Sequence, residues 1–420
     1  MTCAETEITS PRATFDQGAE GLPSLLDFQP RIREYFDQAY EKNSINHSYL
    51  FVGTSGCGID EMIDDLAYHV LSQGAHVALS HEAAARLRAS IAHKTHPDLV
   101  IFEPESARGY VVSQTAQIIE EALRPPFSAA CKLIVIQEAN MLGVSCANAL
   151  LKTLEEPASA VYFVLVSTSQ DAVLPTIVSR CNVLLFEAIS GEHALHYVQT
   201  SAQCLPDQAQ SALYLAQSPI KAVEILQSQH WMNIRSEIIH FFEELSDIDA
   251  WDIVCHVKAI SDELCALHAP LQEQADRELA RTREFLPAVE YKKLELSYKR
   301  RLARMERDHM LLIFDLCESF ARDISAAAFG ATVFANPDQH KLIEHLAHTI
   351  SHAISPAAPT HASADLHTYP HTDSSCLAQT PAAHIQELFA TAREELISNT
   401  PASNTLECLL LGLADRLFLH

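Results

Sequence analysis

Residues 48–60 constrain the fold most. Ser48-Tyr-Leu-Phe-Val52 is a short apolar run ending at Gly53; Gly53-Thr-Ser-Gly-Cys-Gly58 follows, and then a helical pattern over Glu61–Leu71. An unbroken apolar run of this length reads as a strand buried on both faces. Strand, glycine loop and helix in that order is the layout of a phosphate loop. Lys132–Ile136 and Val161–Val166 are two more buried strands, Leu99–Phe102 is a weaker third and Val183–Phe186 a fourth. Helical patterns lie between them, notably Thr115–Leu123 and Ala147–Glu156. Strands alternating with helices predict a parallel α/β sheet covered on both faces.

Beyond about residue 188 the strand signal ends. Short helices are expected over 189–235 and long ones over 236–350, with Pro287 breaking a charged stretch from Glu273 to Asp308. Residues 353–382, rich in Ala, Pro, Ser, Thr and His, read as a linker before a last helical pair, Ile385–Ile397 and Leu406–Leu417. Residues 1–25 read as a loose polar leader. The expectation is thus α/β plus all-α: a sheet domain over 26–188, a small helical domain over 189–235 and a larger one over 236–420.

The glycine loop lacks its chemistry. A working loop reads G-x-x-x-x-G-K-[ST], with backbone N–H groups around the phosphates, a lysine on the terminal ones and a hydroxyl on magnesium. Here Gly53 and Gly58 are in place, but Ile59 stands at the lysine position and Asp60 at the hydroxyl position. Ile59 carries no charge, and Asp60 repels a triphosphate. The strand ending at Ile136 is followed by Gln137-Glu138, where an ATPase carries Asp-Glu: the glutamate is kept and the magnesium carboxylate is lost. Loss of three groups predicts no hydrolysis. Weak nucleotide binding through backbone N–H groups stays open, because a helix N-terminus attracts anions.

A formal net charge of -25 argues against a free-standing protein that grips nucleic acid. The 11 cysteines form no C-x-x-C pair, which argues against a disulfide framework or a zinc knuckle and suits a reducing compartment. No apolar run is long enough to span a membrane, and the N-terminus lacks a signal-peptide pattern; a cytoplasmic location is expected.

Between residues 96 and 181 the motifs become specific. His96-Pro97-Asp98 precedes the weak strand. Asn148-Ala-Leu-Leu-Lys-Thr-Leu-Glu-Glu-Pro157 is a helix stopped by proline, and Leu174-Pro-Thr-Ile-Val-Ser-Arg-Cys181 follows the strand that ends at Ser167-Thr168. In order and spacing these resemble the bacterial DNA polymerase III clamp-loader AAA+ family, well over residues 26–235 and more thinly beyond, where Ala402–Leu411 looks like the family's last collar helix. The degraded phosphate loop resembles that of the family's delta-prime branch. The resemblance implies a RecA-like AAA+ domain, a helical lid over 189–235 and a helical collar over 236–420. It implies motor (gamma/tau) and delta subunits as partners and, through them, the sliding clamp and primed DNA. It assigns Arg180 as an arginine finger acting in trans on a neighbour's ATP and Thr168 to the sensor position.

In this chain Thr168 has no ATP to read, so a capping or turn role is favoured there. Lys221 lies near the family's second sensor and reads equally as a solvated helix residue. The family's four zinc cysteines have no counterpart, since residues 59–95 contain no cysteine; no metal and no cofactor are expected. His352, His361, His367 and His371 fall in the linker, where a metal role is the weaker reading. The cluster Lys292, Lys293, Lys299, Arg300, Arg301 and Arg304 could touch DNA or a partner, but the interleaved Glu290, Glu295 and Glu306 favour a solvated helix with internal ion pairs. Two alternatives stand beside the loader reading: a weakly active ATPase, and a non-replicative AAA+ adaptor.

Overall fold

The computed structural model describes residues 24–72, 80–106, 109–158, 160–283, 288–354, 381–398 and 400–418. Most of the expected leader, Pro287 and nearly all of the expected linker, with its three later histidines, lie outside the described residues. The chain divides into two compact units, 1–197 and 198–420.

The first unit is built on five parallel strands: β1 (Ser48–Val52), β2 (Leu99–Phe102), β3 (Lys132–Ile136), β4 (Val161–Ser167) and β5 (Asn182–Leu185). Their order is β2-β3-β4-β1-β5. Each parallel crossover needs a covering element, and the helices supply it: α1 (Pro30–Glu41), α2 (Ile59–Ser72), α3 (His81–Ala92), α4 (Val112–Leu123), α5 (Val144–Glu155) and the short α6 (Pro175–Val178). The five expected strands are all present, with ends shifted by a residue at most.

The two-residue side-chain period of the strands splits the core in two. Tyr49, Phe51, Leu133, Val135 and Val164 face one side and pack with Phe36, Met62, Leu66 and Val70 of α1 and α2. Leu50, Val52, Ile134, Ile136, Phe163 and Leu165 face the other and pack with Ile118, Leu150 and Leu154 of α4 and α5. Lys152, on the opposite side of α5, is exposed. Apolar burial on both faces accounts for the unbroken apolar runs in the sequence.

The second unit is all helical: the end of α7 (Gly191–Ala202), then α8 (Pro206–Ala216), α9 (Pro219–Gln227), α10 (Gln229–Glu244), α11 (Ala250–Thr282), α12 (Ala288–Ala328), α13 (His340–Ile354), α14 (Pro381–Ile397) and α15 (Ala402–Phe418). One core runs through it, from Leu215 and Ile225 through Phe241, Phe242, Phe314 and Phe320 to Phe389 and Leu410. The expected boundary at 235/236 falls inside α10, and that at 188/189 falls just ahead of α7. No described helix is long and apolar enough to cross a membrane.

Candidate functional site

Because the sheet is parallel, the carboxyl ends of adjacent strands meet at one edge, where α/β folds bind ligands. Val52 lies beside Ser167 in the β1–β4 register, and Ile136 beside Leu165 in β3–β4. The Gly53 amide continues the ladder by donating to the Ser167 carbonyl at 3.0 Å. Gly53–Asp60, Gln137, Glu138 and Thr168 are therefore brought together at one sheet edge.

Two glycines are required by the turn. A Cβ on Gly53 would meet Cys57 Sγ at 2.7 Å and Phe186 Cβ at 2.9 Å, and Gly58 has φ +97°, with the Leu25 carbonyl 3.2 Å from where a Cβ would stand. The turn thus has the glycine geometry of a phosphate loop with no cation at its lysine position. Ile59 begins α2 with its side chain buried in the apolar core against β1 and α1. Asp60 is exposed beside it, and Glu61 follows in the same first turn. Two carboxylates at a helix N-terminus satisfy the positive end of the dipole that a phosphate would otherwise use. Burial pushes the Cys57 thiol up to about 11, so it stays neutral.

The loop is also tied down from the amino-terminal side. Ser24 Oγ donates to Glu61 Oε2 at 2.6 Å, and the Leu26 amide donates to the same oxygen at 3.1 Å. Gln29, buried, donates through Nε2 to the carbonyls of Cys57 (2.8 Å) and Glu187 (2.7 Å), and its Oε1 accepts from the Glu187 amide (3.0 Å). Leu25, placed at the end of the expected leader, has no exposed surface and lies in a 3-10 turn, Leu25–Phe28, packed on the loop. No motif pointed to this turn or to Gln29. The one sequence hint is the Gln29-Pro30 junction, since proline favours the first turn of a helix.

At the end of β3, the Gln137 amide donates to the Phe102 carbonyl at 2.9 Å. The Tyr110 hydroxyl lies 2.6 Å from the Gln137 carbonyl and 2.8 Å from that of Phe102, so one phenol clamps the ends of β2 and β3. Glu138 is half-buried at φ 49°, a left-handed conformation that starts a 3-10 turn. Thr168 is exposed. The turn contacts belong to its neighbour: Ser167 Oγ donates to the Ser169 carbonyl at 2.8 Å.

Arg180 is elsewhere. It precedes β5, whose first residue Asn182 pairs with Tyr49 near the start of β1, so it lies at the amino-terminal edge of the sheet. A four-residue strand separates the two edges by about 13 Å. Arg180 Nε donates to Glu155 Oε1 at 2.6 Å, Nη2 contacts the same oxygen, and Nη1 donates to the Thr176 carbonyl at 2.8 Å and Ser179 Oγ at 3.3 Å. Its side chain remains 28% exposed.

Sequence comparison adds similar proteins. A family model described as "DNA polymerase III, delta subunit" matches residues 28–190. DNA polymerase III subunit delta-prime of Bacillus subtilis is 27% identical over 223 residues, 53% of this chain and 66% of that protein. The same subunit of Pseudomonas aeruginosa is 30% identical over 192 residues, 45% of this chain and 57% of that one. Over its first half the chain is thus similar to clamp-loader delta-prime subunits. DNA polymerase III subunit tau of Bacillus subtilis is 29% identical over a shorter stretch, 39% of this chain and 29% of that protein. Among solved structures, a gamma subunit-related protein of Thermotoga maritima aligns with 91% of this chain and 99% of its own at TM-score 0.40 and 14% identity. The chain spans between about half and two thirds of the length of the delta-prime relatives just named.

The His-Pro-Asp motif has a structural use. Asp98 is fully buried, and its carboxylate accepts from the amides of Phe127, Ser128 (2.7 Å) and Ala129 (2.8 Å) and from Ser128 Oγ (3.0 Å). Burial alone would raise its pKa; the four donors outweigh burial and hold it below the ordinary carboxylate value. This ring fixes the loop from α4 into β3, and so the strand that ends at Gln137.

Proposed function

We propose that the chain serves as the non-hydrolysing, delta-prime-like subunit of a cytoplasmic bacterial sliding-clamp loader in DNA replication, beside motor (gamma/tau) and delta subunits. The observation that carries the proposal is Ile59: the position of the catalytic lysine is filled by a side chain buried in the apolar core, with Asp60 exposed next to it. A site of that composition has no cation for a γ-phosphate. In this reading the chain contributes to catalysis from the other edge of its sheet. Arg180 stands too far from its own glycine loop to serve it, as a finger acting in trans requires. A guanidinium at a transferring phosphoryl group is worth on the order of 10³–10⁵ in rate. In the free chain Glu155 holds that guanidinium, and a half-exposed ion pair of this kind is worth only about 0–1 kcal/mol, so exchange of Glu155 for a phosphate costs little. The domain division that accompanies the reading is a lid over 189–235 and a collar over 236–420.

The Arg180–Glu155 pair also favours a second reading, in which Arg180 is structural and the chain is a scaffold. The test is DNA- and clamp-stimulated ATP hydrolysis by the reconstituted loader carrying Arg180→Ala. With assembly preserved, turnover at the adjacent ATP site falls on the order of 10³-fold if Arg180 is the finger; an unchanged rate leaves the scaffold. Isothermal titration of the isolated chain with ATP checks the first half: measurable hydrolysis would overturn it.

A further inference from the structure

The start of α11 carries an apolar face that its own unit leaves open. Ile253, Val257, Ile260 and Leu264 turn into the helical core. On the other side Trp251, Val254, Cys255 and Lys258 recur at the i, i+3, i+4, i+7 spacing of one helix face. Trp251 is 72% exposed and Val254 38%, and Cys255 and Lys258 are exposed as well. Apolar residues exposed singly are ordinary; three at neighbouring positions, one of them tryptophan, make a patch. Its anchor is held still. The Trp251 amide donates to Asp249 Oδ1 at 2.7 Å and the Asp252 amide to the same oxygen at 2.9 Å, while the Asp249 amide donates back to Asp252 Oδ2 at 3.3 Å. This capping box fixes the first turn of α11, and burial of Ile253 fixes its rotation. A tryptophan displayed on rigid backbone has little ordering left to lose when a partner arrives.

The patch has neighbours of one sign. Glu243, Glu244, Asp247, Asp249 and Asp252 all lie within eight residues of Trp251, and the stretch Glu243–Asp252 holds no lysine or arginine. Four of the five are exposed and Asp252 is half-exposed. Glu244 Oε2 lies 3.2 Å from Nε2 of His256, the residue after Cys255, so the last turn of α10 is brought against this part of α11. Asp247 accepts from Ser246 Oγ at 3.3 Å. Among the described residues none of the five pairs with a lysine or an arginine. The first cation along the face is Lys258, about 11 Å along α11 from Trp251. An aromatic centre with a charged surround is the anatomy of a binding surface.

We infer that this face docks a basic segment of another protein, with an arginine on Trp251 and further cations on the surrounding carboxylates. A guanidinium stacks on an indole, the best of the aromatic rings for a cation, and the same group pairs with carboxylates in its plane. Tryptophans at the centre of a contact carry a large share of its binding energy. The charge disfavours the other occupants. Five carboxylates repel a phosphate backbone and an anionic lipid surface alike. A second copy docked about a two-fold axis would set the same five carboxylates against each other. The surface is defined without Arg180 or the glycine loop, which belong to the other unit.

The test is fluorescence anisotropy of a labelled peptide of four Arg-Arg-Leu repeats with the full chain at about 50 mM salt, where screening is weak. Expected is a Kd on the order of 10⁻⁵ M, with no binding of the matching Glu-Glu-Leu peptide. Trp251→Ala should weaken binding about tenfold or more, as loss of a central tryptophan does; the side chain is exposed, so its removal leaves the core intact. Glu244→Gln with Asp247→Asn, in which glutamine keeps an acceptor for His256, should weaken binding about threefold or more and flatten its dependence on salt. Glu387→Gln with Glu394→Gln removes the same charge from exposed positions on α14 and should leave Kd within about twofold. No binding at about 50 mM salt, binding unaltered by Trp251→Ala or by the Glu244 and Asp247 pair, or an equal loss in the α14 control overturns the inference. So does sedimentation that shows a concentration-dependent dimer abolished by Trp251→Ala, which makes the occupant a second copy.

Discussion

Asp98→Asn should destabilise the sheet unit by about 2–4 kcal/mol. The carboxylate accepts four hydrogen bonds, with Phe127 on one oxygen and Ser128 and Ala129 on the other. Asparagine presents a single acceptor oxygen. If that oxygen faces Ser128 and Ala129, the NH2 group faces the Phe127 amide, donor against donor; the reverse placement loses three bonds. The better placement loses one charge-assisted bond, worth about 1.5–3 kcal/mol, and weakens the other three. The sign with pH follows from the depressed pKa. A depressed carboxylate contributes stability that is present above its unfolded pKa of about 3.9 and lost as pH falls through the lower folded value. The gap between wild type and variant should therefore be full at pH 7 and shrink below about pH 4. Hydrogen exchange of the β2 and β3 amides measures it locally. Both tryptophans, Trp231 and Trp251, lie in the other unit, so their fluorescence transition should stay in place. A protection loss under about 0.5 kcal/mol, or a gap that does not change with acid, would refute the account, because surface substitutions reach that size.

Gln29→Ala removes two donations and one acceptance and leaves the Cys57 and Glu187 carbonyls without that partner; thermal unfolding should show a loss of about 2–4 kcal/mol, and no change would mean that the amino-terminal turn does not hold the loop. Ile59→Lys with Asp60→Thr rewrites the loop motif, yet it moves a core side chain into a charged one; stability should fall by about 1.5–3 kcal/mol, and ATP hydrolysis should stay absent because Gln137 still cannot hold magnesium.

Much of the first unit was legible because its strands are buried on both faces. Such strands cannot alternate, and their apolar runs stand out from the sequence. The absence of a lysine was legible for a similar reason, since its position lies at a fixed offset from two glycines. Gln29 was not legible: its partners are backbone groups 28 and 158 residues away, and backbone groups carry no sequence signal. Ser167 and Thr168 are adjacent hydroxyl residues, and only the strand register tells which one turns inward. The basic cluster on α12 was visible as composition, but its acidic neighbours suggested mutual neutralisation.

The two edges of one sheet face different physical demands. At the carboxyl edge a lysine would be needed for chemistry, but nothing in the packing requires one. Ile59 instead joins an apolar cluster, and burying a side chain of that size is worth about 1.5–3 kcal/mol. The residue at the lysine position therefore stabilises the sheet unit whatever the loop binds. The glycines are different: close approach at Gly53 and positive φ at Gly58 mean that the turn requires them whether or not a nucleotide is bound. At the amino-terminal edge Arg180 is tethered by the Glu155 carboxylate, the Thr176 carbonyl and Ser179 Oγ, contacts of small net worth at this exposure. On the proposed reading its value lies outside the chain, at a phosphate held by a neighbour. Glu155→Gln separates the two uses. If Arg180 is structural, freeing it leaves loader turnover alone; if it is a finger, turnover shifts; in either case the stability of the free chain falls by no more than the roughly 1 kcal/mol that a partly exposed pair supplies.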